Sequence, residues 1–416
     1  MADKKRHSVC EFSLDSSISQ EVFDARIVDL WKTEWATLLT GSKFNFNVSE
    51  LAKHIPRAEP VAPFKHKTPL SPTQLGLRLS LNSKMTPLPK HHVVCLEECH
   101  CAIPEFSFPY TYQGYHNTTS DEIVPRIKDA TIVISTIVPV MPAHMEKAPH
   151  MKLLAIMATG VDWVDKEYCA TRGISVINSP QSNISSVSEH AMGLYFAARK
   201  KIVEMHLRTT TTDEWAREGS LTKRFPDGPP LTASQEVLGI VGYGALGKRI
   251  ETLARAIGFG DVIVSERKGA TQPRDTRVAF EEVLKRVTVL VLTCPRDAST
   301  VNMIDETELK SMRKEALLIN VARGGIVNET ALAKALKERW ISSAATDVLE
   351  VEPGMKGSPL LPQDGEPIPN LTISPHIAWF AQETITTLQR LLKEGIDGWV
   401  VGKPVNVHVH EGRILK

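Results

Sequence analysis

The sequence predicts an α/β protein with two doubly wound parallel-sheet domains behind an N-terminal extension. Two observations support this prediction. From residue 91 onward, short apolar runs rich in β-branched residues alternate with segments of helical periodicity, and such runs are typical of parallel strands buried on both faces. Near the middle of the alternation, the apolar run Val237–Val241 leads through a glycine-rich turn into a helical segment, which is the pattern of a nucleotide-binding βαβ unit.

The order of these elements predicts the domain boundaries. Residues 91–185 together with 380–416 are expected to form a flavodoxin-like domain, and residues 186–379 a Rossmann domain of about six strands, with a helix over 186–200 crossing between them. The first domain's predicted strands are 93–96, 131–138, 153–157 and 174–177, with a helix over 120–127. The second domain's predicted strands are 237–241, 262–264, 287–292, 316–320, 341–348 and 371–373, with helices over 277–285 and 329–340. A final helix over 383–400 is predicted in the segment assigned to the first domain.

Residues 1–90 have a different pattern and are predicted to be a partly ordered extension. One helix is expected, with an aromatic face that runs from Phe23 to Leu38. Seven prolines then follow between Pro56 and Pro89, a composition that buries little apolar surface and is typical of a linker. The aromatic face docks either on a partner or on the protein's own surface, and the second is favoured because exposed patches of that size are unusual.

The composition argues against several classes of protein. The chain has 416 residues, with 49 Lys and Arg against 48 Asp and Glu, so its net charge gives no argument for binding nucleic acid or an anionic membrane. No run approaches the roughly 18 apolar residues of a membrane span, and no apolar signal segment follows the basic start. We therefore expect a cytoplasmic protein.

The six cysteines fit a reducing compartment. Cys95, Cys99 and Cys101 lie near histidines, which invites a metal interpretation. However, no Cys-x-x-Cys pair occurs, and Cys95 belongs to an apolar run. Ordinary thiols and no metal site are expected.

The glycine-rich turn over residues 242–247 has the spacing Gly-x-Gly-x-x-Gly. Gly242 would permit the tight turn, Gly244 would let the backbone approach a pyrophosphate, and Gly247 would let the helix pack closely on the sheet. Free amides of Ala245 and Leu246 at the helix start would donate to phosphate oxygens, aided by the helix dipole. The flanking strand and helix favour this nucleotide site over an ordinary glycine-rich turn.

The next strand ends at Glu266, 19 residues after the last glycine. An acid at that distance would accept hydrogen bonds from the adenosine ribose hydroxyls and repel a 2′-phosphate. Arg267 and Lys268 follow at once and could pair with that phosphate. NAD is therefore the favoured cofactor, with NADP possible.

Three later loops each carry a charged or titratable side chain just past the carboxyl end of a strand: Arg323 in 320–325, Glu352 in 347–353 and His376 in 374–379. That edge is where open α/β sheets bind ligands. An arginine, a carboxylate and an imidazole beside a nicotinamide are what hydride transfer between an alcohol and a ketone requires. Each residue alone could be an ordinary surface or loop residue, but the three together indicate a catalytic site.

The turn 242–247 and the three loops 320–325, 347–353 and 374–379 occur in the order found in the D-isomer-specific 2-hydroxyacid dehydrogenase family, which residues 91–409 resemble. The Pro-His-Ile-Ala-Trp form of the last loop most resembles glycerate dehydrogenase and hydroxypyruvate reductase members. The resemblance implies hydride transfer between NAD(P)H and a small 2-oxo acid or D-2-hydroxy acid. It also implies a homodimer through the cofactor domain.

The resemblance implies roles that the chemistry of the side chains supports. Arg323 would hold the substrate carboxylate, polarise the 2-oxo group and border the cofactor. His376, also beside the cofactor, would be the general acid in reduction and the general base in oxidation. Glu352 would orient His376 and raise its pKa. Asp347 would contact the nicotinamide carboxamide, whereas Glu350 is expected to be uninvolved.

Further contacts are implied around the cleft. The backbone amides of Gly160 and Val161 would hold the substrate carboxylate, and residues 136–138 would face the substrate side chain, although both segments could be ordinary turns. Val321 and Cys294 would border the cofactor, Cys294 as a neighbour and not as a nucleophile. Where many family members have a histidine, this chain has Thr293.

A second class of function stays open at this point. Corepressor-type proteins that sense NAD(H) share the same fold and the same three residues, and the aromatic helix with its proline-rich segment makes such a binding protein conceivable. Because all the catalytic groups are present, the enzyme is the favoured interpretation.

Overall fold

The computed structural model describes residues 91–354, 357–362 and 367–416. These residues belong to the second of two compact units, Met85–Lys416. The predicted N-terminal helix and proline-rich linker lie outside the described residues. The α/β class with two sheets is confirmed: one sheet has seven strands and the other has six.

The seven-stranded sheet belongs to the first lobe. Its strands are β1 His91–Cys95, β2 Tyr110–Gly114, β3 Ile132–Ser135, β4 Leu153–Ile156, β5 Ser175–Ile177, β12 Val407–His410 and β13 Arg413–Ile414, in the order β13-β12-β5-β4-β3-β1-β2. Its helices before the crossing are α1 Ile123–Ile127, α2 Pro142–Glu146 and α3 Lys166–Arg172. The four central strands are almost fully buried, as the apolar runs predicted.

This sheet differs from the prediction at its two edges. The sequence analysis expected parallel strands only, but β12 pairs antiparallel with β5, and β13 antiparallel with β12. Residues 407–410 alternate valine and histidine, a period of two typical of a strand with one face exposed. Strand β2 was not predicted, because its residues are mostly polar and exposed and give no apolar run.

The six-stranded sheet of the second lobe is entirely parallel, as predicted. Its strands are β6 Val237–Val241, β7 Asp261–Val264, β8 Val289–Leu292, β9 Leu317–Asn320, β10 Ser343–Thr346 and β11 Leu371–Ile373, in the order β11-β10-β9-β8-β6-β7. The remaining helices are α4 Ile184–Arg199, α5 Ile202–Thr211, α6 Glu214–Glu218, α7 Ala245–Ile257, α8 Phe280–Arg286, α9 Glu306–Ser311, α10 Glu329–Lys337 and α11 Gln382–Val400. Apolar cores cover both faces of the sheet.

Local sequence signals set the ends of several helices. The Asp165 carboxylate accepts the Tyr168 amide at the start of α3, and Gly173 ends that helix with a φ of 65°. Asn328 caps α10 in the same way through the Ala331 amide. These are the side-chain N-cap and left-handed C-cap that helix termini require.

The two lobes share a strand order around their first strands. Strand β1 lies between β2 and β3, and strand β6 lies between β7 and β8. The crevice at the carboxyl ends of such strands is where doubly wound sheets bind ligands. The domain boundaries stay predictions, although the final helix α11 packs on the first lobe through Leu388, Leu392 and Ile396. In the described part of the chain, no helix is both long and apolar enough to cross a bilayer.

Candidate active site

The glycine turn after β6 leaves open space for a ligand. Gly242 has a φ of +95°, and a Cβ there would lie 2.5 Å from the Cys294 amide nitrogen. A Cβ on Gly247 would lie 2.3 Å from the Gly242 carbonyl oxygen. At Gly244, in contrast, a Cβ would meet nothing within 4 Å. The backbone therefore requires glycine at the two outer positions and leaves the middle one facing free volume.

Helix α7 begins at this free volume. Gly244 is its N-cap residue, no side chain caps it, and its first helical hydrogen bond runs from the Lys248 amide to the Gly244 carbonyl. The amides of Ala245, Leu246 and Gly247 consequently have no acceptor among the described hydrogen bonds. Three free donors at the positive end of a helix fit the diphosphate of a dinucleotide.

The loop after β8 forms the neighbouring wall of this cradle. The Thr293 hydroxyl donates to the Gly242 carbonyl at 2.5 Å, and the backbone of Cys294 packs directly on Gly242. Burial raises the pKa of the Cys294 thiol to about 11, so the thiol is protonated at neutral pH. That Cys294 is a cofactor neighbour and not a nucleophile stays a prediction.

The loop after β9 presents Arg323 to the first lobe. The Asn320 side-chain amide holds the loop through the Arg323 carbonyl at 2.9 Å. Arg323 Nε donates to Asp162 Oδ2 at 2.8 Å and Nη1 to the Ala322 carbonyl at 2.8 Å. A Cβ on Gly160 would lie 2.0 Å from Nη2. Gly160 thus lets the guanidinium pack against its backbone, and Nη2 is left as the free donor.

The Arg323–Asp162 contact has a further property: within the described residues it is the one ion pair that joins the two lobes. Its side chains are 35% and 42% exposed, so it lies open to the cleft between them. The sequence analysis named the segment around Gly160 but assigned no role to Asp162. Only the approach of residues 161 positions apart identifies it.

Glu352 and His376 meet as a hydrogen-bonded pair, which fits the predicted triad. His376 Nδ1 lies 2.5 Å from Glu352 Oε2, and Glu352 Oε1 accepts the Leu349 amide at 2.8 Å. Burial alone would raise the pKa of Glu352, but the hydrogen bond and charge of His376, the Leu349 amide and the nearby Arg323 together lower it below its usual range. The carboxylate is therefore ionised at neutral pH and can support an imidazolium.

Asp347 anchors the loop that carries His376. Its carboxylate is only 2% exposed. It accepts the Ser374 hydroxyl at 2.6 Å and the amides of Ile377 and Ala378 at 3.0 Å each. His376 itself has a φ of 52°, a left-handed conformation held by its amide donating to the Asp347 carbonyl at 2.7 Å. The predicted contact between Asp347 and the nicotinamide stays a prediction.

The first lobe supplies the opposite wall. The amides of Gly160 and Val161 take part in none of the described hydrogen bonds, so both are free donors, and their contact with a substrate carboxylate stays a prediction. The amides of residues 136–138, in contrast, all donate to the Glu97 carboxylate. The Thr136 amide donates to Oε2 at 3.2 Å, the Ile137 amide donates to Oε1 at 2.9 Å, and the Val138 amide also donates to Oε1. The sequence analysis missed Glu97. Its position just after a buried strand is the same signal that identified the three later loops.

At the far end of the cofactor crevice, two predicted contacts have other partners. The Glu266 carboxylate, expected to hold the ribose, is bonded to the Arg274 guanidinium. Lys268, considered as a phosphate contact, bonds instead to Glu308 at 2.8 Å and to the Met303 carbonyl at 3.0 Å. The proposal that Lys268 pairs with a phosphate does not agree with this geometry. Arg267 is exposed at the surface.

Free amides at the start of α7, a hydrogen-bonded Glu352–His376 pair and an arginine held by Asp162 are the features expected of an NAD(P)-dependent oxidoreductase. The sequence model of the NAD binding domain of D-isomer specific 2-hydroxyacid dehydrogenases matches residues 192–378. A glycerate dehydrogenase of Methylorubrum extorquens is 37% identical over 75% of this chain and 96% of its own length. A glyoxylate reductase of Korarchaeum cryptofilum is 29% identical over 66% of this chain and 81% of its own length.

Solved structures agree. A protein from Thermus thermophilus superposes with a TM-score of 0.63 at 26% identity, covering 76% of this chain and all of the other. The chain belongs to the D-isomer-specific 2-hydroxyacid dehydrogenase family, which confirms the resemblance drawn from its motifs. It is an enzyme that uses NAD(P) and acts on CH–OH groups.

Proposed function

We propose that this enzyme interconverts a small 2-oxo acid of the hydroxypyruvate or glyoxylate type and the corresponding D-2-hydroxy acid, with Arg323, Glu352 and His376 as its catalytic residues. The relatives named glycerate dehydrogenase and glyoxylate reductase support this substrate class. The observation that carries the proposal is the 2.5 Å contact between His376 Nδ1 and the ionised Glu352 carboxylate.

That contact defines which atom of His376 can react. Because Nδ1 is bonded to Glu352, Nε2 is the ring nitrogen available to exchange a proton with the substrate oxygen. In reduction, Nε2 would give its proton to the 2-oxo oxygen while Glu352 stabilises the charge of the ring before that transfer. A bound nicotinamide supplies the hydride that C2 of the substrate receives. The product is then an alcohol, with one hydride and one proton added.

Arg323 and the first lobe would hold the substrate for this step. The free Nη2 of Arg323 would polarise the 2-oxo group, and the amides of Gly160 and Val161 would bind the carboxylate. Asp162 engages Nε of Arg323 at 2.8 Å, so the guanidinium is already fixed before substrate arrives. Fixing it beforehand removes part of the entropic cost of ordering the site.

Replacing His376 tests the proposal. In His376→Ala, we expect kcat for hydroxypyruvate or glyoxylate to fall by about 10²- to 10⁴-fold, the usual contribution of a general acid. The dissociation constant for NADH or NADPH should change by only about a few-fold, since the diphosphate cradle is untouched. His150→Ala is the matched control, because His150 is exposed and precedes the amino end of β4 in the other sheet.

Unchanged turnover in His376→Ala would show that the assigned residue is wrong. Tight NADH binding by the unmodified enzyme, with no turnover of glyoxylate, hydroxypyruvate, pyruvate or bulkier 2-oxo acids, would instead favour the nucleotide-sensing protein. Steady-state assays with both cofactors, combined with fluorescence titrations, separate these results.

The oligomeric state and the location in the cell stay proposals. A homodimer through the cofactor lobe is supported by apolar side chains exposed on and beside α5, among them Ile202, Leu207 and Trp215, each more than half exposed. Sedimentation equilibrium would show a monomer mass if this is wrong. The cytoplasmic location is likewise a prediction, which cell fractionation would test.

A further inference from the structure

Glu266 lies at the position where the dinucleotide fingerprint places a ribose-binding acid. Strand β7 pairs with β6 up to Val264, which lies opposite Ile240, and the Ser265 amide still donates to the Ile240 carbonyl at 2.9 Å. Glu266 therefore lies beside the start of the glycine turn. A free carboxylate there accepts the ribose 2′-hydroxyl and repels a 2′-phosphate.

In this chain that carboxylate is saturated. Oε1 accepts the Arg267 amide at 2.9 Å and Arg274 Nη2 at 2.6 Å. Oε2 accepts the Arg274 amide at 3.0 Å and Arg274 Nε at 2.7 Å. A carboxylate offers about four acceptor positions, so none is left for a ribose hydroxyl. The Arg274 guanidinium and the two amides hold the pKa of Glu266 far below its usual range, which keeps the pair ionised.

The surroundings of the pair are cationic. The Arg274 side chain is 57% exposed, and its Nη1 makes no described hydrogen bond. The Arg267 side chain forms no hydrogen bond or ion pair within the part of the chain that the structure describes. Arg277 lies 5.6 Å from the centre of the Tyr243 ring, inside the glycine turn, and Arg277 Nη1 donates to the Ser265 carbonyl at 3.3 Å. The guanidinium groups of Arg274 and Arg277 thus lie at the neutralised acid, and the exposed Arg267 follows it directly in the chain.

We infer that Arg274 determines cofactor choice by occupying Glu266, so that the adenosine end of the site selects the 2′-phosphate of NADP(H) over the 2′-hydroxyl of NAD(H). The phosphate meets the free donors of Arg274 and Arg267, and its charge meets no open carboxylate. This reverses the preference drawn from the sequence, where Glu266 alone favoured NAD. The inference rests on the proposed cofactor site and not on the proposed hydride transfer.

Binding without turnover tests the inference. Isothermal titration of the full chain with adenosine 5′-monophosphate and adenosine 2′,5′-bisphosphate compares two probes that differ only in the 2′-phosphate, and fluorescence titration does the same for NADH and NADPH. We expect the phosphorylated member of each pair to bind about tenfold or more tightly, the scale of one charge-assisted hydrogen bond. In Arg274→Ala this ratio should fall by about tenfold or more, with NADH binding tightened because Glu266 is exposed.

Control variants separate selection from general damage. Arg255→Ala removes a guanidinium of similar exposure, paired with Glu251 on α7, and should leave the ratio unchanged. If Arg274→Ala fails to fold because Glu266 loses its partner, the double variant Glu266→Gln/Arg274→Ala removes that charge, and the ratio should again fall relative to Glu266→Gln alone.

Three results would overturn the inference. The wild-type protein could bind both members of a pair equally, which would mean that Arg274 moves aside for a ribose. Arg274→Ala could weaken both cofactors by the same factor, as a purely structural residue would. Absence of binding by any probe would also remove the proposed cofactor site. A shifted ratio together with unchanged turnover in His376→Ala would leave this inference standing and reject only the assigned catalytic residue.

Discussion

The two lobes have the same strand order around their first strands but use the resulting crevice in opposite ways. In the second lobe, the crevice between the ends of β6 and β8 contains glycines and three free amides at the start of α7. In the first lobe, the crevice between the ends of β1 and β3 contains Glu97, whose carboxylate accepts all three amides of residues 136–138. One crevice is open to an external anion, and the other is already filled by an internal one.

The comparison separates what topology provides from what side chains decide. Parallel strands and their connections bring backbone donors together at the carboxyl edge in both lobes. One residue then determines whether these donors face a ligand or a protein carboxylate. In the first lobe, Glu97 fixes the loop over residues 136–138, and the amides that stay free are those of Gly160 and Val161 further along the edge. Three predictions test this view.

The first prediction fills the open crevice. Gly244→Asp would introduce a carboxylate where a Cβ meets nothing within 4 Å, at the N-cap position of α7, where aspartate is favoured. The new carboxylate should accept the free amides, as Glu97 does in the other lobe. NADH and NADPH binding, followed by fluorescence, should weaken about a thousandfold, since roughly two charge-assisted hydrogen bonds are lost. The melting temperature of the protein without cofactor should stay equal or rise slightly.

Gly244→Ala is the matched control, because it adds the same Cβ without a charge and should weaken binding less than the aspartate. Cofactor affinity in Gly244→Asp equal to that of the wild type would mean that these amides do not bind the diphosphate. The comparison between the two crevices would then fail.

The second prediction empties the filled crevice. Glu97→Ala leaves the amides of residues 136–138 without their acceptor beside a buried strand. At about 1 kcal/mol for each lost partner, the free energy of unfolding should fall by about 3 kcal/mol. Urea denaturation at pH 7 measures this, with Glu146→Ala on the exposed end of α2 as the control. Glu97→Gln keeps the shape of the side chain, so the free energy of unfolding should fall by less. Equal stability of Glu97→Ala and wild type would show that water replaces the carboxylate freely.

Features encoded within a few tens of residues could be read from the sequence. The turn at 242–247 and the loops carrying Arg323, Glu352 and His376 each follow an apolar strand directly, so motif and periodicity identify them without knowledge of the tertiary structure. The α/β class follows from the same alternation. Glu97 obeys the same rule, and it was overlooked because no later motif drew attention to it.

Features that depend on packing between distant segments could not be read. Asp162 reaches Arg323 only because the lobes close on each other. Arg274 reaches Glu266 through an irregular loop of eight residues that has no periodicity. The strands β2 and β13 are the edge strands of their sheet, and β12 lies next to β13; the pairing of β2 and β12 is set by their neighbours and not by their own apolar pattern. In each case the sequence shows the residue but not its partner.

Glu352 combines the two uses of a loop at the sheet edge. One of its oxygens accepts the Leu349 amide inside its own loop, and the other faces His376. The third prediction concerns its pH dependence. Its pKa is lower in the folded protein than its ordinary value of 4.5. Ionised Glu352 therefore stabilises the fold fully above about pH 4.5, and this contribution is lost as the pH falls through the lower, folded-state pKa.

We expect Glu352→Gln to be less stable than the wild type at pH 7 by about 0.5 kcal/mol, a small value because both partners are about a third exposed and screened by solvent. The difference should shrink towards zero as the pH falls from 4.5 through the lower, folded-state pKa, because the wild-type carboxyl then also becomes neutral. Urea denaturation across this range measures it, and Glu350→Gln, two residues away and without a partner in the described hydrogen bonds of its side chain, is the control. If the difference in the free energy of unfolding stays constant from pH 7 to pH 3, the glutamine variant is less stable only because its side chain packs differently. The charge of Glu352 would then serve His376 and contribute nothing to the fold.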